Sequence, residues 1–194
     1  MLSATAVPPV ARTLLIATAV VWVVMELRQG TKQRSEGVVN DRRSRMVLRI
    51  AIFVGVIGSI EAARLVTSAA VGDPDVAAWV GLVFLWCGIA LRFWSFQTLG
   101  RYFTFTVQTS ADQPVITDGP YRVLRHPSYA GILLAVVGIG LFVGNYLSLA
   151  CLTGAVACGL VYRIHVEEQA LLRDLGERYR TYAATHKRLV PFVW

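Results

Sequence analysis

The chain has 194 residues, of which 55% are hydrophobic and 16% are charged, and its mean hydropathy is +0.55. A soluble domain of this size is far less apolar, so the sequence predicts a single integral membrane protein. The formal charge is +7, but the basic residues cluster between apolar runs, which indicates membrane loops and argues against a nucleic-acid-binding protein.

Apolar runs of membrane length recur along the chain. They predict five transmembrane helices, at about Val10–Leu27, Met46–Val71, Val76–Gln97, Pro127–Gly144 and Tyr146–Arg163. Crossing a bilayer takes about 20 residues, and the last two runs reach that length only marginally. The first run has no basic region before it and no small-residue cleavage site, so we interpret it as a retained helix and not as a signal peptide.

The loops between these runs differ in charge. Arginines crowd the loop between Arg28 and Arg49, three more lie in segment 98–126, and the tail after Arg163 is basic. The turn 72–75 contains two acids and no base. Because basic loops stay in the cytoplasm, the N-terminus is predicted to lie outside and the C-terminus inside.

Three further patterns predict local structure: a charged pair in the second run, an amphipathic tail, and small residues in the fourth and fifth helices. Glu61 and Arg64 are i, i+3 neighbours in the second run, an intramembrane ion pair that either serves function or anchors the bundle. The tail from Ile164 to about Ala184 has apolar residues at helical spacing and predicts an amphipathic helix, which lies on the membrane surface, caps a site, or does both. Small residues are expected to let the fourth and fifth helices approach closely: Gly131, Gly138, Gly140, Gly154, Ala155 and Gly159.

The three cysteines indicate neither a disulfide framework nor a metal site. Cys87, Cys151 and Cys158 lie inside apolar runs without CxxC spacing, so we expect small buried side chains. No His and Cys cluster has metal-ligand spacing, and we expect no metal.

The stretch 125-RHPSYAGILL-134 raises the question of what Arg125 and His126 contact at the edge of a membrane-length run. Pro127 suits the first position of a helix, and His126 before it is forced out of helical geometry. If the fourth and fifth helices form a hairpin around Asn145, residues equidistant from the turn lie at the same depth. The hairpin then brings 125–129 level with 163–168.

The mouth of this hairpin collects the polar residues of both helices. They are Arg125, His126, Tyr129, Arg163, Glu167 and Glu168, and the turn 117-TDGPY-121 folds Tyr121 towards them. Each residue alone suits lipid headgroup binding. Together, these residues beside an apolar cavity suit two ligands, one polar and one lipophilic. No GxGxxG, P-loop, GxSxG or HExxH motif is present, so a nucleotide-like cofactor would need a helical site.

The runs 119-GPYRVLRHPSYAG-131 and 163-RIHVEEQALLRDLGERYRTYAATHKRLVPFVW-194 closely resemble the isoprenylcysteine carboxyl methyltransferase family, a relative of the membrane phospholipid methyltransferases. Residues 1–95 match it only as membrane spans. The resemblance implies two regions, a three-span N-terminal region 1–97 and a catalytic region 98–194. It also implies an all-α membrane protein whose cytoplasmic pocket binds S-adenosylmethionine and releases S-adenosylhomocysteine.

The resemblance also assigns site residues. Carried over from the family, the cofactor-binding positions are Gln113, Val115, Ile116, Tyr121, His126, Tyr129 and Glu167. Arg163 matches an arginine near the reactive centre, so Arg163 and Glu167 are the expected catalytic residues. Arg125 and Pro127 are assigned to shaping the site and balancing its charge. Gln113 stands where some relatives have His.

The implied reaction is methyl transfer to the carboxylate of a lipophilic substrate that enters from the membrane, such as a C-terminal prenylcysteine. A carboxylate is already ionised at neutral pH, so no general base is needed, and Arg163 suits the task of orienting it. The C-terminal PFVW has no prenylation box, so the chain is not expected to be a prenylated substrate itself.

Three alternatives remain open. A phospholipid or other amine N-methyltransferase would need a base, for which only Glu167 or Glu168 stands near Arg163. A membrane lipid reductase that uses NADPH would bind a 2′-phosphate. A membrane scaffold without enzymatic activity would bind no cofactor.

Overall fold

The structure is a computed structural model, and it describes residues 7–31, 38–41, 43–100, 107–109 and 114–190. These residues form six α-helices and one short antiparallel ladder. The helices are α1 (Pro9–Thr31), α2 (Arg43–Leu65), α3 (Pro74–Leu99), α4 (Pro127–Val143), α5 (Tyr146–Leu175) and α6 (Glu177–Thr185). The strands are β1 (Val38–Asp41) and β2 (Val107–Thr109), and 3-10 turns cover Thr67–Ala69 and Gly119–Arg122.

The helices α1, α2, α3 and α5 are long and apolar enough to cross a membrane. Helix α4 is also apolar but has only 17 residues. The prediction of a helical, multi-pass integral membrane protein is confirmed, and the ladder between β1 and β2 is an addition that the sequence did not suggest.

The connections fall on two opposite ends of the bundle. Strand β1, in the α1–α2 connection, pairs with β2 in the α3–α4 connection, with Val38 opposite Thr109. At the other end, Val71 N donates to Gly144 O at 2.9 Å, which joins the α2–α3 connection to the α4–α5 turn. The chain therefore passes from one end of the bundle to the other with each of the helices α1 to α5, and this includes the short α4.

Helix ends follow local chemistry. The Asp73 side chain accepts hydrogen bonds from Asp75 N and Val76 N ahead of α3, which satisfies backbone donors that no helical carbonyl reaches. Pro127 begins α4, as predicted. Gly144 ends that helix at a φ of 72°, a left-handed conformation that favours glycine, and Asn145 then caps α5.

The small residues do allow close helix packing, as predicted, but most of them pack against α3 and α2 and not between α4 and α5. Gly131 and Gly138 face Gly88 and Gly81 of α3, where an added Cβ would stand 2.5–2.6 Å from backbone oxygens of the other helix. On the far side, Gly159 of α5 faces α2, whereas Gly154 faces open space. Gly140 alone among these glycines packs against α5, at Leu149. The principal helix pairs are thus α3 with α4 and α2 with α5.

Two predicted boundaries also differ from the structure. The second helix ends at Leu65, and a 3-10 turn covers part of the segment that was expected to be helical up to Val71. The tail is not one separate helix, because α5 continues past Arg163 to Leu175, and α6 follows after Gly176. Gly176 has a φ of 56°, and this conformation breaks the helix there.

The expectation of buried cysteines is wrong, since none of the three is buried. All three are free thiols, but Cys87 and Cys158 are exposed on membrane-spanning helices and Cys151 is half-buried. Cys87 and Cys158 therefore lie on the outer surface of the helix bundle and not in its core. Glu61 and Arg64 do form the expected pair, at 3.4 Å, and both side chains are at least half exposed.

Candidate functional site

The predicted juxtaposition of the two hairpin ends is confirmed, and Tyr129 is its centre. Arg163 Nε donates to the Tyr129 hydroxyl at 2.8 Å, and that hydroxyl donates to Glu167 Oε2 at 2.5 Å. The Arg163 guanidinium also lies over the Tyr129 ring, 5.8 Å from its centroid. The i, i+4 pair Arg163 and Glu167 of α5 is thus joined through one tyrosine of α4. We call this end of the bundle, where α4 begins, the polar end.

Helix α2 contributes to the same network. Arg163 Nη1 donates to Ser44 Oγ at 3.1 Å, and both residues are buried. The close packing of Gly159 on Leu48 and Ala51 sets the distance between α5 and α2 at this level. Nothing in the sequence pattern pointed to Ser44.

Glu168, next to Glu167, belongs to a different cluster. Its buried carboxylate contacts Arg125 at 2.7 Å, Arg188 at 2.8 Å and His126 Nε2 at 3.2 Å. The role of charge balance expected for Arg125 fits this geometry. Arg125 and His126 directly precede α4, and Arg188 follows α6. Glu168 therefore holds the start of α4 against the residues that follow α6.

The C-terminal segment, residues 186–190, runs parallel to the RHP motif, residues 125–127. Arg125 N donates to Lys187 O at 2.8 Å, and His126 N donates to Arg188 O at 3.0 Å. The Tyr182 hydroxyl of α6 donates to Tyr121 O at 2.7 Å. This segment therefore fixes the approach to α4, which corresponds to the capping function considered for the tail.

Of the residues expected to bind a cofactor, His126, Tyr129 and Glu167 are brought together at the polar end. His126 is buried and stacks on Tyr129, with ring centroids 5.6 Å apart. Tyr121 is buried, and Val115 and Ile116 are half-buried. Val115 packs against the cluster of Leu175, Tyr179 and Tyr182. Gln113 lies outside the described residues.

The phenols of this region stay protonated at neutral pH. Burial raises the pKa of Tyr121 well above its usual value, and the nearby charge of Glu167 acts in the same direction. Burial likewise raises the pKa values of Tyr179 and Tyr182. These tyrosines therefore remain neutral phenols, and the Tyr182 hydroxyl donates to the backbone oxygens of Tyr121 and Leu124.

Sequence reasoning missed a second buried arginine at the polar end. Arg92 of α3 donates to Glu26 Oε2 of α1 at 3.0 Å and to Ser128 Oγ of α4 at 2.6 Å. The signal was present, since an arginine inside an apolar run marks a functional position by default.

The polar end offers groups that would hold the S-adenosylmethionine expected from the family resemblance. Its amino group and ribose hydroxyls need acceptors, and one oxygen of the Glu167 carboxylate has no hydrogen-bond partner in the part of the chain that is described. The buried ring of Tyr121 and the partly buried ring of Tyr129 offer apolar faces for an adenine. Among the described residues, no group of three His, Cys, Asp or Glu side chains is placed to hold a metal ion.

Comparison with known proteins is consistent with this site. The sequence model of the isoprenylcysteine carboxyl methyltransferase (ICMT) family matches residues 79–173. The probable protein-S-isoprenylcysteine O-methyltransferase of Oryza sativa subsp. indica is 33% identical over 118 residues, which are 60% of this chain and 62% of that protein. The protein-S-isoprenylcysteine O-methyltransferase of Tribolium castaneum is 32% identical over 116 residues, 59% of this chain and 41% of that protein. The matches thus span less than two thirds of either relative.

A solved structure shares the fold. The eukaryotic intramembrane Ras methyltransferase ICMT superposes with a TM-score of 0.54 and 25% sequence identity, over 80% of this chain and 55% of that chain. The family match begins within α3 and ends within α5, so it contains the RHP motif and both residues joined by Tyr129. The chain is therefore similar to the isoprenylcysteine carboxyl methyltransferase family over residues 79–173, just under half of its length.

Proposed function

We propose that this protein transfers a methyl group from S-adenosylmethionine to the carboxylate of a lipophilic substrate within the membrane, such as a C-terminal prenylcysteine. The observation that carries the proposal is the network Arg163–Tyr129–Glu167 at the polar end. It joins a cation, a phenol and a carboxylate at the edge of an apolar bundle. Relatives named as methyltransferases of isoprenylcysteine support the substrate class.

The cofactor would lie between the loop 114–126, the start of α4 and Glu167. We propose that Glu167 accepts hydrogen bonds from the hydroxyl or amino groups of the cofactor. Tyr121, His126 and Tyr129 would line the remainder of the site, with Val115 and Ile116 on the loop side. Gln113, the last residue proposed to bind the cofactor, lies outside the described residues. When bound, the cofactor supplies an electrophilic methyl group on a sulfonium sulfur.

Arg163 would orient the substrate carboxylate. The guanidinium is always charged and offers several donors in a fixed plane, and Tyr129 and Ser44 hold that plane in place. A carboxylate nucleophile is already ionised at neutral pH. The protein therefore needs to align the reacting atoms and to exclude water. Arg163 is buried where α2, α4 and α5 meet, and this burial helps to exclude water.

The engagement of Glu168 favours a carboxylate over an amine as the acceptor. An amine substrate arrives protonated and needs a base. Glu168 is occupied by Arg125, Arg188 and His126, and one oxygen of Glu167 already accepts from Tyr129. A base dedicated to an amine is therefore not supported.

We also propose that the polar end faces the cytoplasm, with the N-terminus of α1 outside. The ladder between β1 and β2 joins the two basic connections on one end of the bundle. The acidic turn at 72–75 is at the other end. This distribution of charge agrees with the retention of basic loops in the cytoplasm.

We also propose that the chain divides into an N-terminal membrane region, 1–97, and a catalytic region, 98–194.

The experiment that tests the activity starts with cofactor binding. Equilibrium binding of S-adenosylhomocysteine to the detergent-purified chain is measured beside NADPH, with Glu167→Ala as the matched variant. Micromolar binding of S-adenosylhomocysteine alone, lost in Glu167→Ala, is expected, followed by methylation of farnesylated cysteine. Absence of S-adenosylhomocysteine binding by folded protein would contradict the proposal, and an NADPH signal would favour a reductase.

A further inference from the structure

Arg92 sits at a junction of three helices. Its guanidinium forms a two-pronged ion pair with the Glu26 carboxylate of α1 and hydrogen-bonds to Ser128 Oγ of α4. It also lies over the Phe96 ring at 4.6 Å. The Arg92 side chain is only 7% exposed. Such a charge within an apolar bundle is retained only when it is paired and hydrogen-bonded.

Ser128 connects this junction to the candidate site. It lies between Pro127 and Tyr129, in the first turn of α4. On one side of this turn, Ser128 accepts from Arg92, and on the other side Tyr129 bridges Arg163 and Glu167. The first turn of α4 is thus held between two Arg–Glu clusters. A shift of Arg92 would move Ser128 and, with it, Tyr129.

Helix α1 supplies the carboxylate of the outer cluster. Most of α1 is exposed on the outside of the bundle, and its packing within the described residues is chiefly on α3. Glu26 also accepts a hydrogen bond from the Trp22 indole at 2.9 Å, one helical turn earlier. Glu26 lies outside the residues that match the family, 79–173. It is therefore a feature that the family match does not describe.

We propose that Glu26 is a positioning residue for the methyl transfer reaction, acting through Arg92 and Ser128 on Tyr129. The inference rests on the proposed function. An apolar contact would attach α1 to α3 at least as well as an ion pair, because desolvation offsets much of the attraction between buried charges. What the ion pair adds is direction, since the fork of Arg92 has one orientation in which it serves both Glu26 and Ser128.

The test compares two variants that break different links of the same chain. Glu26→Gln removes the charge at constant shape, and Ser128→Ala removes the contact to α4 while the ion pair remains. Glu61→Gln is the matched control, because Glu61 lies on α2 in a half-exposed pair with Arg64. The measurements are kcat and KM with farnesylated cysteine, the Kd for S-adenosylhomocysteine, and hydrogen exchange of the backbone over residues 126–131.

We expect both variants to lower kcat by about tenfold or more, with the Kd for S-adenosylhomocysteine changed by less than about threefold. Both should speed hydrogen exchange in the first turn of α4, and Glu26→Asp should recover part of the turnover. Glu61→Gln should behave as the wild type in every measurement.

Two outcomes would overturn the positioning role. One is wild-type kcat and wild-type exchange in both variants. The other is loss of turnover, binding and thermal stability together in Glu26→Gln while Ser128→Ala stays normal, which would make the pair a mere anchor. If the wild type binds no S-adenosylhomocysteine, the proposed function fails by itself, and the exchange measurement still decides whether Glu26 orders α4.

Discussion

At the scale of single residues, Tyr129 is where the two helices of the hairpin meet. Its hydroxyl accepts from Arg163 and donates to Glu167, so one oxygen fixes the relative orientation of a cation and a carboxylate. A direct ion pair would place the two charges in contact. With the phenol between them, one oxygen of Glu167 has no hydrogen-bond partner among the described residues, as the proposed role in cofactor binding requires.

Removal of that hydroxyl gives a first prediction. Tyr129→Phe keeps the ring but leaves Arg163 and Glu167 without their shared partner, and an unsatisfied buried polar group costs about 1–3 kcal/mol. We expect kcat for farnesylated cysteine to fall roughly 10- to 100-fold. The matched variant is Tyr146→Phe, whose ring is exposed at the far end of α5. Equal turnover in the two variants would contradict the role of Tyr129.

A second prediction concerns Glu168. Glu168→Gln leaves Arg125 and Arg188 without their shared counter-charge, and breaking a buried ion pair costs about 3–5 kcal/mol. Thermal unfolding in detergent should show a clear loss of stability. Glu177→Gln is the control, because its pair with Arg180 is exposed and exposed pairs contribute about 1 kcal/mol or less. Equal melting temperatures for the two variants would exclude the anchoring role.

The sequence predicted one of the two arginine clusters and missed the other for a physical reason. Arg163 and the RHP motif flank a tight turn, so counting residues from Asn145 was enough to place them at the same depth. Arg92 and Glu26 are 66 residues apart in sequence. Their contact depends on how α1 packs on α3, which no local pattern records.

At the scale of helices, glycines determine which helices pack most closely. Gly81 and Gly88 of α3 face Gly138 and Gly131 of α4, seven residues apart on each helix, so the two backbones touch along one stripe. Close approach through small residues is the usual means of helix association in membranes, where apolar surface alone gives no preference for protein over lipid. Arg92 lies one turn beyond Gly88, so this stripe also sets the distance from Arg92 to Ser128.

A third prediction tests the stripe. In Gly88→Ala, the new Cβ would stand 2.5 Å from Gly131 O and Ala135 N, so α3 and α4 must separate. Overpacking of this kind costs about 1–3 kcal/mol, and thermal stability in detergent should fall. Gly154→Ala is the matched control on α5, because its Cβ meets nothing within 4 Å. It should be neutral or stabilising, since alanine favours helix more than glycine does.

Helix limits were predicted better than helix partners. Caps and breakers act over a few residues, so Pro127 and the turn at Asn145 were sufficient to locate the start of α4 and the turn between α4 and α5. The sequence does not indicate which neighbouring helix the glycines of α4 face. The end of α2 at Leu65 was missed because the apolar composition continues beyond the point where the helix stops.

At the scale of the whole molecule, two sets of hydrogen bonds join the connections at opposite ends of the bundle. The ladder of β1 with β2 joins the first and third connections, and the Val71–Gly144 bond joins the second and fourth. This arrangement requires α4 to pass from one end to the other with only 17 residues. A helix of that length spans about 25 Å, less than a typical hydrocarbon core of about 30 Å. The bilayer beside α4 must therefore thin, or the polar end must lie below the headgroups.

The last prediction tests this topology and its direction. In a background with Cys87, Cys151 and Cys158 changed to alanine, single cysteines are introduced as Asp75→Cys and Glu177→Cys, both at exposed positions in the first turns of α3 and α6. Three helices separate the two sites, so they should lie on opposite sides of the membrane. A membrane-impermeant maleimide should label Asp75→Cys in intact cells, and Glu177→Cys only after permeabilisation. The reverse pattern would invert the proposed orientation, and labelling of both in intact cells would mean that one of α3, α4 and α5 does not cross.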